Sequence, residues 1–373
     1  MSHSDQYAVL NSNESLIFKL TQLHRLIKQH HQFIARVAIA LYDADTDVVR
    51  TFVFSGEKSP LNHYQARLAD CYSLKKLAYD QQPRLENDLA VFSDSEHIHA
   101  IKIYQAGYRA SYTLPMLWNN KLIGFVFFNA KAADVFTDAC MQELDVIGHL
   151  LTLVLVNEMS SVRTLMATLR SALDLTHSRD PETGFHLERM SRYARMIARV
   201  TADHFSTDDH FVEHVFLFAP LHDLGKLAIP DNVLLKPGKL TDVEYQVMKT
   251  HSKAGLELVD KLLVNYGLSG VSYIPMLRNI VLHHHEAWDG SGYPFGLSGQ
   301  NIPLEARIVA VADVFDALTS ERPYKTAWSN EDAYAKLKEL AGIKLDPVCV
   351  EALLAQDSEI CVIQNSFKER KFG

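Results

Sequence analysis

The sequence predicts a two-part fold: an α+β domain built on an antiparallel sheet with helices, a long linker helix, and an all-α domain. Three observations predict it. Paired runs of β-branched and aromatic residues lie within the first 130 residues, strand signals are scarce after Asp180, and no Gly or Pro interrupts the stretch from His149 to Arg179. At 373 residues the chain is also too long for one ordinary core, so two domains are expected on size alone.

In chain order, "RVAIALYDADTDVVRTFVFS" reads as two strands joined by an acidic turn at Asp43–Asp47. "ASYTLPMLWNNKLIGFVFF" reads as a second hairpin with Asn119-Asn120 as its tight turn, because asparagine tolerates the left-handed backbone such a turn needs. Between them, "YQARLADCYSLKKLAYD" has helical spacing. The arrangement, ending in "FTDACMQELDVIGHLLTLVL" where a long helix leaves the sheet, resembles a GAF domain over residues 14–145. That resemblance implies a sensor module. No tetrad of ligands or reactive cysteine stands out in it, so its small ligand is unknown.

Residues 146–178 read as the connecting helix. Leu155, Met159, Val162, Met166, Leu169 and Leu173 are spaced 4, 3, 4, 3, 4, the a/d seam of a coiled coil. Such a stripe either pairs two copies of the chain in a homodimer or packs on its own domain, and the sequence leaves both open. In either case it is a stiff connector.

Composition narrows the function. A 47% hydrophobic and 22% charged chain is globular rather than disordered. The net charge of −8 argues against binding a nucleic-acid polymer, while a small anionic ligand needs only a local basic pocket. Cys71, Cys140, Cys349 and Cys361 are scattered without a CxxC pair, which reads as reduced thiols in a cytoplasmic protein. The opening "MSHSDQYAVLNSNE" has no basic start followed by an apolar run, so no signal peptide is expected. The longest apolar run, "IGHLLTLVLV", is about half the length needed to span a bilayer, so no membrane insertion is expected.

The all-α half, residues 179–373, carries the chemistry. Asp313 sits in "RIVAVADVFDALT" among apolar neighbours, where an ionised carboxylate is costly unless a cation, Arg or Lys meets it. Asp316, one turn on, reads as a supporting acid or a surface residue. His222 and Asp223 are adjacent in "APLHDLGKLAIPD", a compact two-ligand unit for a divalent transition metal, with Lys226 one helical turn later. His251 falls on the apolar face of its helix, in register with Val247 and Met248, as a core histidine or a ligand. Glu182 and His186 are four apart, on one helix face if the turn around Gly184 is regular. "HHHEAWDGSGYP", from His283 to Pro294, is a solvated histidine-rich loop or one wall of a metal site. Taken together, Glu182, His186, His222, Asp223, His251, His284, His285 and Asp313 offer up to eight ligands, more than one ion needs from protein and suited to two or three. Imidazole and carboxylate without thiolate suit iron or manganese as well as zinc.

The succession "ETGFHLER", "HDLGK", a mid-helix histidine, "HHEAWDGSGYP" and "ADVFDALTSERPYK" resembles the HD-GYP family of bacterial cyclic di-GMP phosphodiesterases over about residues 172–352. The resemblance implies an HD-type helical domain whose metal ligands are His186, His222, Asp223, His251, His284, His285 and Asp313, with Glu182 matching the extra acid of members thought to hold a third ion. It implies that Lys226 works beside the catalytic metals and that Tyr293, Arg322 and Lys325 bind the nucleotide. His283 has no counterpart and is not taken as a ligand. Gly290 and Gly292 are expected to allow left-handed backbone in a lip over the site. The implied reaction is metal-dependent hydrolysis of cyclic di-GMP, via pGpG, to GMP. Two alternatives stand beside it, a non-catalytic cyclic dinucleotide receptor and a phosphodiesterase preferring 3′,3′-cyclic GMP-AMP.

Overall fold

The computed structural model describes all residues except 1–4, 13, 58–59, 93–97, 178–183, 266–272, 322–325 and 368–373. The chain forms two compact units: residues Met1–Ser161 with Asp208–His210, and Val162–Thr207 with Phe211–Gly373.

The N-terminal unit holds strands β1 (Ile34–Asp43), β2 (Val48–Gly56), β3 (Gln65–Arg67), β4 (Arg84–Glu86), β5 (Ala110–Trp118) and β6 (Lys121–Ala130), with helices α1 (Leu16–His30), α2 (Tyr72–Asp80) and α3 (Ile98–Gln105) and, through Ser161, the first part of α4 (Asp138–His177). The strands form one antiparallel sheet in the order β3-β2-β1-β6-β5-β4. Both predicted hairpins form. Asn119 and Asn120 both adopt positive φ, 50° and 61°, the two left-handed residues of a type I′ turn. The segment read as one helix from Tyr64 divides instead: Gln65–Arg67 pairs with β2 as a short edge strand, and the helix begins only at Tyr72.

Alternation places Val37, Ile39 and Leu41 of β1 and Val126 and Phe128 of β6 on one face, in a core shared with α1 and α4. α1 starts where the Ser15 hydroxyl accepts the Phe18 N–H, and it buries Leu16, Leu20, Leu23 and Ile27 at helical spacing. α4 buries Cys140, Leu144, Ile147, Leu151 and Leu155 in that same core. Leu155 and Met159, the first two residues of the predicted seam, therefore pack on their own domain. The side chains of Val162, Met166, Leu169 and Leu173 lie outside the described residues. By length and composition Asp138–Ser160 is apolar enough to cross a membrane, although its longest uninterrupted run read as half a span; its buried stripe is core.

The C-terminal unit is helical: α5 (Gly184–Val200), α6 (Ala202–Phe205), α7 (Asp209–Phe218), α8 (Asp231–Leu234), α9 (Asp242–Lys249), α10 (His251–Asn265), α11 (Ile274–His283), α12 (Leu304–Thr319), α13 (Asn330–Leu340), α14 (Pro347–Leu354) and α15 (Asp357–Ser366). α12 runs through the middle, burying Ile308, Val311, Ala312 and Phe315, and its Phe315 ring meets Tyr193 of α5 edge-on at 5.1 Å. α9 opens on the predicted capping box, with the Thr241 hydroxyl accepting the Glu244 N–H and the Glu244 carboxylate accepting the Thr241 N–H. His251 is not mid-helix. α9 stops at Lys249, Thr250 caps it, and His251 opens α10.

Candidate metal centre

Three local devices bring the scattered histidines and acids together. Pro220 ends the run of α7, so His222 and Asp223 fall between two short 3-10 turns, Ala219–Leu221 and Leu224–Ala228. Gly225 then allows α10 to lie against this turn: a Cβ there would sit 1.8 Å from the His251 carbonyl oxygen and 2.6 Å from the Gly255 nitrogen. Only a residue without a side chain brings His251 beside Asp223. His284 caps the C-terminus of α11, and Asp313 projects from α12.

Two groups of ligand-capable atoms result, Asp223 with His251, His284 and His285, and His186 with His222 and Asp313. Asp223 is central. Its Oδ1 lies 3.3 Å from His251 Nε2 and 3.6 Å from His284 Nε2, while its Oδ2 lies 3.1 Å from His222 Nε2 and 2.9 Å from Lys226 Nζ. Asp313 Oδ1 lies 3.9 Å from Nε2 of both His186 and His222. Every one of these six residues singled out from sequence, with His285, is thus gathered in one region of the helical unit.

The protonation pattern tests whether cations fit here. Nδ1 of His222 faces the Ala219 carbonyl at 3.0 Å, Nδ1 of His251 faces the Met248 carbonyl at 2.8 Å, and Nδ1 of His284 faces the Ile280 carbonyl at 3.0 Å. A carbonyl only accepts, so each Nδ1 carries a proton and each ring, when neutral, turns the lone pair of Nε2 inward. Those lone pairs point at carboxylate oxygens, and Nε2 of His251 and of His284 are 3.4 Å apart. Lone pairs aimed at carboxylates and at each other repel, unless cations sit among them. The donor set therefore fits divalent metal.

Electrostatics agree. Burial pushes His251 down to about 4, and burial together with His284 holds His285 well below the ordinary imidazole range. Burial opposes the charge on Asp223, yet the Lys226 ammonium beside it holds its carboxyl well below the usual carboxylate range. Neutral imidazole and ionised carboxylate are the forms that bind metal.

The acid paired with arginine in α12 is Asp316 rather than Asp313. His186 Nδ1 donates to Asp316 Oδ2 at 2.7 Å; Arg189 Nε donates to Oδ1 at 2.7 Å, Arg189 Nη2 to Oδ2 at 3.0 Å, and Ser320 Oγ to Oδ2 at 2.8 Å. Asp316 is fully buried, so its reading as a surface residue falls away. Its carboxyl is lowered because the His186 and Arg189 hydrogen bonds outweigh burial. Arg189 was not picked out from sequence; the available signal was its i, i+3 placement after His186.

The segment after His285 folds back beside the rings. The Tyr293 N–H donates to the His285 carbonyl at 3.1 Å, and the two rings lie 4.8 Å apart. Burial pushes the Tyr293 phenol upward, so it stays protonated at neutral pH. Gly290 has the expected positive φ of 82°, whereas Gly292 does not; a Cβ on Gly292 would sit 2.2 Å from the Ala287 nitrogen, so that glycine serves close approach. Glu286, also missed from sequence, pins the loop by accepting the N–H groups of Phe295 at 2.9 Å and Leu297 at 3.0 Å. His283 Nδ1 is 3.8 Å from Glu286 and belongs to neither ligand group. Glu182, Arg322 and Lys325 lie outside the described residues.

A helical unit that converges imidazoles and carboxylates on a shared interior is the architecture of a metal-binding helical domain. Residues 171–349 match the HD domain family. The match nearly coincides with the 172–352 span over which the motifs resemble HD-GYP proteins. The chain is 43% identical over 217 residues to the "Cyclic di-GMP phosphodiesterase" of Vibrio cholerae serotype O1, covering 57% of this chain and 43% of that protein. It is 51% identical over 188 residues to the "Cyclic di-GMP phosphodiesterase response regulator RpfG" of Xanthomonas campestris pv. campestris, covering 49% and 46%. It is 34% identical over 216 residues to the "3'3'-cGAMP-specific phosphodiesterase 2" of Vibrio cholerae serotype O1, covering 58% and 39%. The chain thus spans about half the length, or less, of these curated relatives. Among solved structures, the "GAF domain/HD domain protein from Geobacter sulfurreducens" is similar with a TM-score of 0.33 and 15% identity, covering 41% of this chain and 97% of that one.

Proposed function

We propose that the HD domain holds two or three divalent transition-metal ions, iron or manganese, and hydrolyses cyclic di-GMP through linear pGpG to GMP under the control of the N-terminal domain, in the bacterial cytoplasm. The observation that carries this reading is the Asp223 carboxylate faced by the inward Nε2 atoms of His222, His251 and His284. His186, His222, Asp223, His251, His284, His285 and Asp313 are the proposed ligands, with Glu182 for a third ion.

Ions bound there supply Lewis acidity, activating water as a nucleophile and neutralising charge on the phosphoryl oxygens. Asp223 serves both groups of ligands. Its two oxygens diverge, Oδ1 toward His251 and His284 and Oδ2 toward His222 and Lys226, so ions held by either group would find a carboxylate oxygen there. Lys226 Nζ, held 2.9 Å from Asp223, stays a cation at the edge of the site and stabilises the developing phosphoryl charge or gives a proton to the departing oxygen. Tyr293 presents a protonated hydroxyl and an aromatic face beside His285, suited to a flat base. Arg322 and Lys325 fix the second phosphate by charge-assisted bonds.

The test is a product assay on metal-loaded protein with cyclic di-GMP, 3′,3′-cyclic GMP-AMP and GMP. Release of GMP from cyclic di-GMP supports the proposal. Binding without turnover gives the receptor reading, and preference for the mixed dinucleotide gives the second reading, which the similarity to a relative named for 3'3'-cGAMP favours.

A further inference from the structure

The N-terminal unit contains a cavity that none of this chemistry uses. It opens on the sheet face opposite α1 and α4, with Cys71, Ser73 and Leu74 at the start of α2 and Ala100 and Ile103 of α3 over it. On that face the strands carry polar groups where apolar ones would pack. Arg36 of β1 stands opposite Asn129 of β6, which stands opposite Ser111 of β5. Arg36 Nη1 donates to Asn129 Oδ1 at 2.8 Å, Asn129 Nδ2 donates to Ser111 Oγ at 3.0 Å, and Ser111 Oγ lies 3.5 Å from Thr113 Oγ1. Thr113 in turn pairs with Arg84 of β4. Arg36, Asn129, Ser111 and Thr113 are all buried, so the ribbon runs beneath the cavity out of reach of bulk water.

Burying such a ribbon is costly unless something answers its polarity. Guanidinium groups stand at both of its ends, and Arg50 of β2 lines the same cavity. Burial lowers Arg36 to about 10, the signature of a cation kept from water. Arg50 Nη1 lies 3.6 Å from Asp43 Oδ2. Arg84 is the telling residue: Glu86 is 3.5 Å from its Nε, yet Nε and Nη1 are buried and make no hydrogen bond. A guanidinium fork with unused donors beside a cavity matches a carboxylate or phosphate, which it grips with two parallel bonds.

We propose that this cavity binds a small organic anion, its acidic group seated on Arg84 at the β4 end of the ribbon and its apolar body lying between Leu74, Ile103 and Phe127. The neutral amide and hydroxyls of Asn129, Ser111 and Thr113 would meet polar substituents along that body. The proposal does not depend on the reaction assigned to the HD domain.

The test is calorimetric titration of the full chain with benzoate, phenyl phosphate and the neutral benzyl alcohol. Saturable binding of benzoate or phenyl phosphate, with benzyl alcohol at least tenfold weaker, supports the site, and the better of the two acids names the acidic group. Arg84→Met should weaken that acid tenfold or more, and Arg84→Lys, which keeps the charge but not the fork and serves also if the methionine variant does not fold, should weaken it by less. Failure of both acids to saturate, equal binding of benzyl alcohol, or wild-type affinity in both variants overturns the proposal.

Discussion

His186 donates its Nδ1 proton to Asp316 at 2.7 Å, and Asp316 is clamped from its other side by Arg189. The pair fixes which nitrogen of His186 faces Asp313 and how the ring is oriented. Asp316→Ala should therefore lower metal affinity roughly 10–100-fold, the usual effect of removing a ligand's hydrogen-bond partner. It should also cost about 3–5 kcal/mol of stability, because it leaves the Arg189 charge buried beside a lost acid. Metal titration and urea unfolding check the two parts separately. Asp316→Asn, which keeps an acceptor for His186, should lose less of both.

Gly225 gives a second expectation. Gly225→Ala places a methyl group against the His251 carbonyl and the Gly255 nitrogen, so α10 must move away from the His222–Asp223 turn. The cost should be at least the ~1–3 kcal/mol typical of overpacking. Metal content should fall with it, although no ligand has been changed. Calorimetric melting together with elemental analysis measures both.

The fold of the sheet and most of the site were legible in the sequence because local rules dictated them. Alternating β-branched residues, the Asn119-Asn120 turn and the Thr241–Glu244 box each carry their own signal. Three features did not. Gln65–Arg67 is only three residues long, too short to show a period of two, and the helix behind it lent the segment its apparent spacing. The role of Gly225 depends on Gly255 thirty residues away, a contact no window of sequence contains. Asp313 and Asp316 lie one turn apart on the same helix, and only the position of Arg189 on α5 decides which of them is paired with a guanidinium.

The pH response follows from His251. Its folded-state value of about 4 lies below the unfolded 6.5, so between those values the unfolded chain binds the proton and the folded site does not. Stability of metal-free protein should hold above pH 6.5 and fall as pH drops toward 4. The drop from 6.5 to about 4 corresponds to ~3.5 kcal/mol at ~1.4 kcal/mol per pH unit. Urea unfolding of chelated protein between pH 7 and pH 4 checks the slope, and a flat profile would remove His251 from the account.

Two of the proposed ligand positions separate ion number from activity. Glu182→Ala should lower the bound metal by one ion per chain and slow conversion of pGpG to GMP. Asp223→Ala removes the carboxylate that His222, His251 and His284 all face, so turnover should vanish and metal content should fall by more than one ion. Paired metal quantitation and product chromatography on both variants distinguish the roles.

The most direct measurement is elemental analysis of protein purified without oxygen, made on the same sample as the cyclic di-GMP assay. Two or three equivalents of iron or manganese per chain, with GMP as the final product, is the predicted result. A folded preparation that takes up no divalent ion when one is supplied, and leaves the dinucleotide intact, would contradict it.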